Sequence, residues 1–195
     1  MTVVFLSASV PDPARDPAYF DSSDVIAIRD AVRALATVVL PKGRLVWGGH
    51  PAITPLIRVV AEGIGATRAE SVTLYQSRFF RKDIPADNTA FERVVWTRSA
   101  RGNRERSLAI LRREMLASER FDAGIFVGGM EGVEAEFDLF KQMQPAAAAV
   151  PIASTGAAAA RIFERNRQQF PAELETNLAY PSLFRGILGS RPGRG

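Results

Sequence analysis

The sequence predicts an α/β fold, a Rossmann-like three-layer sandwich with a central, mostly parallel sheet. Two observations carry this expectation. Short apolar runs alternate with helically periodic stretches about six times along the chain. The runs are continuously apolar instead of alternating with polar residues, as parallel strands covered on both faces require. No internal repeat and no linker divides the 195 residues. One domain is therefore expected over 1–188, followed by a disordered tail, 189–195, rich in glycine and arginine.

The first strand is Val3-Val4-Phe5-Leu6, and a polar, proline-rich loop runs on to Asp21. Ser22, Ser23 or Asp24 can cap a helix reaching Val39, in which Val25, Ile28, Val32, Leu35 and Val39 recur at helical spacing. After a Pro41-Lys42-Gly43 turn, Arg44 to Trp47 forms the second strand, and Gly48-Gly49-His50 leads into a helix over 52–64. The third strand is 71–75, an irregular stretch occupies 76–91, and the fourth strand is 93–97. A charged helix over 103–118 carries Leu108, Leu111 and Met115 on one face. The fifth strand, 123–127, runs into Gly128-Gly129 and a helix over 133–143. The sixth, 148–152, is followed by Ser154-Thr155-Gly156 and an alanine-rich helix to Asn166. Beyond Gln169 the periodicity fades.

Composition narrows the function. There is no cysteine, so disulfides and thiolate metal sites are excluded. His50 is the only histidine and no spacing of acids suits a metal, so neither a metal nor a cofactor is expected. The chain opens without the basic region of a signal peptide, and no apolar stretch approaches the roughly 20 residues a membrane helix needs. A cytoplasmic protein with no membrane contact is expected. The net charge is +4, and the basic residues are nearly all arginine, whose fork matches phosphate. That charge is spread along the chain and lacks the interleaved aromatics of a single-strand groove, so nucleic acid is not the expected partner.

Four strand ends carry unusual residues: Ser7-Ala8-Ser9, Gly48-Gly49-His50, Gly128-Gly129-Met130-Glu131-Gly132 and Ser154-Thr155-Gly156. In a parallel sheet all four lie on one edge, where ligands bind. Glycine allows tight turns and close approach, the following helix presents unpaired N–H groups, and hydroxyls add donors. Together these features describe an anion site.

The segments LVWGGHPAITPLI and IFVGGMEGVEAE resemble the two glycine-rich signatures of the SLOG superfamily, the Rossmann-like domains that include lonely-guy enzymes and DNA-processing Smf proteins. The likeness spans about residues 1–165 in element order. It is greatest to the SLOG clusters of bacterial conflict systems, which sense nucleotide-derived signals, often beside NAD-consuming effectors. The resemblance implies a ligand site for a nucleotide or ADP-ribose-like signal at the C-terminal edge of the sheet. It also implies a homo-oligomer, dimer or higher, and a separate effector protein. Gly128, Gly129, Gly132 and Glu136 fall on the second signature. In lonely-guy enzymes that glutamate, with an arginine ahead of a methionine, hydrolyses the N-glycosidic bond of a nucleoside monophosphate. Arg112 and Arg113 precede Met115 here, and Arg113 is the expected partner by position. The chain departs from the signature at Val127 for proline, at Val133 for threonine and by the extra Glu131. Those departures favour binding over turnover, because catalysis tolerates displacement poorly. The reading is thus a binding module, with N-glycosyl hydrolysis by Glu136 and Arg113 as its rival.

Individual residues keep more than one reading. His50 either bonds a phosphate or base, or fills its turn and caps the helix. Among Glu131, Glu134 and Glu136, the bland reading is favourable interaction with a helix N-terminus, which suits Glu134. Glu136, and after it Glu131, is expected to face the ligand and bond ribose hydroxyls. Arg101, Arg104, Arg106, Arg112 and Arg113 form a solvated face from which one reaches phosphate. Trp47 and Trp96 read as core before stacking platforms, and Ser7 and Ser9 as hydroxyls near the ligand.

Overall fold

The structure is a computed structural model that describes residues 1–66, 70–82 and 84–189. Strands β1 (Thr2–Ser9), β2 (Gly43–Trp47), β3 (Val72–Ser77), β4 (Val94–Thr97), β5 (Ala123–Gly128) and β6 (Ala148–Ile152) form one six-stranded sheet. Their order is β4-β3-β2-β1-β5-β6, and every neighbouring pair is parallel. The helices are α1 (Pro17–Asp21), α2 (Val25–Val39), α3 (Thr54–Gly63), α4 (Arg104–Ala117), α5 (Glu131–Met143), α6 (Ala157–Arg165), α7 (Glu173–Thr176) and α8 (Tyr180–Gly189).

Alternation along the strands divides the core into two layers. Val4, Leu6, Leu45, Trp47, Ile125 and Val127 pack with residues of α2, α3 and α8. Phe5, Val46 and Phe126 pack with residues of α4, α5 and α6. Helices therefore cover both faces, as the Rossmann-like sandwich requires. On the second face Phe5 stacks on Phe140 at 5.5 Å, and Phe126 meets Phe137 edge-on at 5.0 Å. This aromatic layer sets the position of α5 relative to β1 and β5.

Local chemistry explains the element ends. Of the three candidate caps, Asp24 closes α2, accepting the Ala27 N–H at 2.8 Å. Asn103 closes α4 by accepting the Arg106 N–H at 2.9 Å. Helix α5 starts at Glu131 and not at Val133, so Glu131 and Gly132 are helical. Strand β3 runs past Tyr75 to Ser77, and the connection to β4 holds two 3-10 turns, Arg78–Phe80 and Ala86–Ala90. Within the loop after β1, Asp16 accepts the Ala18 N–H at 3.0 Å and opens α1, which the sequence pattern did not announce. Past Gln169 the chain forms α7 and α8, and α8 buries Leu183 and Phe184 against the α2 side of the core. The expected tail lies outside the described residues except for Gly189, the last residue of α8. Among the described residues no helix is long and apolar enough to cross a membrane.

Strand β1 lies at the centre of the sheet. From it the chain steps outward through β2, β3 and β4, then returns to the other side of β1 with β5 and β6. The order reverses at β1, so the crevice opens beyond its C-terminal end.

Candidate functional site

A cavity of about 440 Å³ occupies that crevice, between the ends of β1 and β2, the face of α4 and the first turns of α5. On its floor, Ser7 projects from β1 on the same side as Phe5, toward α5. Ser7 is 2% exposed, and its hydroxyl donates to Glu136 Oε2 at 2.6 Å. Arg112 of α4 donates through Nε to Glu136 Oε1 at 3.2 Å. The Arg112 and Glu136 side chains are 17% and 18% exposed, so the pair is largely sheltered. The terminal nitrogens of Arg112 have no partner among the described residues. The floor therefore presents a carboxylate fixed through both oxygens and a guanidinium with donors to spare.

Gly132 lies beside this pair. A Cβ there would be 3.1 Å from Arg112 Nη2, so a side chain at this position would push the guanidinium aside by a few tenths of an ångström. The helix opens at Met130 with no side chain capping its N–H groups. Above the floor stand Leu108 and Leu111 of α4 and Ile53 ahead of α3, an apolar wall. At the rim, Arg15 pairs with Glu131 and Arg104 pairs with Glu105. His50 accepts the Ala52 N–H through Nδ1 at 3.2 Å. Burial, and secondarily the charge of Arg15, push its pKa below the usual 6.5. His50 is thus neutral at pH 7, with its remaining proton on Nε2 as a donor.

The structure brings together Ser7, Ser9, Gly48, Gly49, His50, Glu131, Gly132 and Glu136 around one cavity. Gly128 and Gly129 shape the turn behind it. Both have positive φ, +53° and +83°, and a Cβ on Gly129 would sit 2.2 Å from Val133 Cγ2. Ser154, Thr155 and Gly156 share the sheet edge but serve the framework. Thr155 Oγ1 accepts the Gly128 N–H at 2.8 Å and donates to the Ile152 carbonyl at 2.6 Å. Ser154 bonds the Asn177 carbonyl and the Tyr180 hydroxyl, at 3.3 and 3.1 Å. Gly156 bridges to Ser23, where a Cβ would lie 2.0 Å from the Ser22 carbonyl. Arg113 is exposed on α4 and does not line the cavity; Arg112 holds the position expected of it. Glu134 does more than sit at a helix start: it accepts the Tyr19 hydroxyl at 2.7 Å and pairs with Arg165 at 3.0 Å. Trp47 is core, edge-on to Phe91, whereas Trp96 is 38% exposed on the outermost strand.

A parallel sheet with reversed order at β1 and a glycine-rich turn into α5 is the setting the SLOG signatures describe, and the model of the SLOG cluster3 family matches residues 18–188. The chain belongs to the SLOG cluster3 family. No match was found among curated proteins. In this SLOG cluster3 domain β1, and with it Ser7, precedes the matched range. Arg15 also precedes it, and sequence reasoning missed that residue altogether: its partner Glu131 is 116 positions away. The choice of Arg112 was within reach. At helical spacing Arg112 falls about 40° from Leu108 on the cavity face, and Arg113 about 140° away. Among the described residues of the SLOG cluster3 domain no group of three or more acids and histidine is placed to hold a metal ion.

Proposed function

We propose that this SLOG cluster3 domain binds a nucleotide-derived small molecule, a nucleotide or an ADP-ribose-like signal, without turning it over. The observation that carries the reading is the fixed Glu136. With Ser7 on one oxygen and Arg112 on the other, its remaining lone pairs are held as rigid acceptors for a ribose hydroxyl. The open start of α5, Arg15 and Arg104 suit the phosphate, and the Leu108–Leu111–Ile53 wall suits the base. A volume of about 440 Å³ is within the usual range for small-molecule sites. A binding module of this kind hands its signal to a separate effector or through its own oligomer.

The rival reading, hydrolysis of an N-glycosyl bond, draws on the same Glu136 with Arg112 beside it. One experiment separates the two. AMP, ADP-ribose and NAD are titrated into wild type and Glu136→Gln, with binding followed calorimetrically and free base measured over hours. Binding without base release is expected in wild type. Glu136→Gln should weaken binding about tenfold or more, the loss of a charge-assisted hydrogen bond. Multi-turnover base release by wild type that vanishes in Glu136→Gln would establish the hydrolase instead.

A further inference from the structure

A second recess, about 320 Å³, lies beside the first, and the two share Arg15, Met130 and Glu131 as a common wall. Its other sides are Asp16, Tyr19 and Arg161. Tyr19 is a fixed support: its ring is 6% exposed and its hydroxyl is anchored on Glu134, which Arg165 holds in turn. The Arg161 guanidinium lies over that ring, 3.8 Å from its centroid. The ring covers one side of the cation. The side chain is otherwise exposed, and among the described residues no carboxylate pairs with it. A guanidinium seated over an aromatic ring can accept a second flat group on its outer side.

Resting on the nucleotide-binding reading, we propose that the ligand is a dinucleotide whose second base stacks on Arg161. One nucleoside occupies the main cavity, with its ribose at Glu136. The bridging phosphates cross the shared wall at Arg15, the cation common to both recesses. Glu131, released from Arg15 by the phosphates, accepts a hydroxyl of the second ribose. A mononucleotide fills the first recess and leaves the Arg161 platform unused.

The test is calorimetric titration of the full chain with AMP, ADP, ADP-ribose and diadenosine diphosphate, together with the guanine counterparts, in wild type, Arg161→Ala and Arg161→Lys. The two-base ligand is expected to bind about tenfold or more tightly than any one-base ligand, as stacking of one base provides. Both variants should lose that preference, because lysine keeps the charge but has no plane. Equal affinities for one-base and two-base ligands in wild type overturn the proposal and leave nucleotide binding standing. So does a preference that survives in either variant. Absence of binding by every ligand overturns the nucleotide reading and the dinucleotide with it.

Discussion

Two adjacent arginines illustrate how much one helical step decides. Arg112 reaches Glu136 in a sheltered pair, while Arg113 points to solvent from the next position. Substituting Arg112 by glutamine strips a partly buried carboxylate of its cation, and stability should fall by about 1–3 kcal/mol. The same change at Arg113 should stay within about 0.5 kcal/mol, as exposed substitutions do. Urea denaturation of both variants checks the pair. An equal loss at the two positions would mean that the Arg112–Glu136 contact contributes nothing. Arg15 escaped a reading of the sequence altogether, and for Ser7, expected at the site, it was the partner that escaped. The Ser7–Glu136 bond joins positions 129 apart, and neither residue's neighbours announce the other. What the sequence does carry is the kind of loop, with its glycines and hydroxyls, in which such residues sit.

At the scale of elements, the start of α5 couples local preference to the site. Gly132 is a poor helix former, with no unusual φ that requires it, and a Cβ there would press on the Arg112 guanidinium. Gly132→Ala should leave stability unchanged or raise it by up to about 1 kcal/mol, while displacing the guanidinium and weakening nucleotide binding. Thermal melts and titration on the same preparation test this split; a variant that binds as wild type would remove Gly132 from the site. The starts of α2 and α4 were legible to within a few residues, because capping side chains, Asp24 and Asn103, precede long periodic stretches. They were not legible for α1 and α8. The first is a single short turn inside a proline-rich loop. The second opens with Tyr180-Pro181, and its Leu183 and Phe184 acquire meaning only against the α2 side of the core, far away in sequence.

For the whole molecule, the parallel sense of the sheet was readable from the continuously apolar runs, though its strand order was not. The grouping of strand ends on one edge followed from that parallel sense, but their division between cavity and framework did not. Ser154, Thr155 and Gly156 sit beside β5 because β6 is its neighbour, and there they tie the sheet edge to the loop between α1 and α2. Thr155→Val keeps the shape and removes the acceptor of the Gly128 N–H. Because Thr155 is 0% exposed, that N–H should lose its partner at a cost of about 1–3 kcal/mol. Chemical denaturation with the main-cavity ligand absent measures it, and an unchanged midpoint would show that the turn is held by other means.

The paired arginines at the rim change what entry of an anion means. Arg15 and Arg104 are each paired with a carboxylate, Glu131 and Glu105. If a phosphate binds there, as proposed, it replaces one anion with another, so its uptake is an ion exchange and not the neutralisation of a bare positive patch. Long-range attraction contributes little to such a process, and added salt competes with incoming phosphate and resident carboxylate alike. On the proposed nucleotide-binding reading, discrimination at the rim then falls to fit and hydrogen-bond geometry more than to net charge.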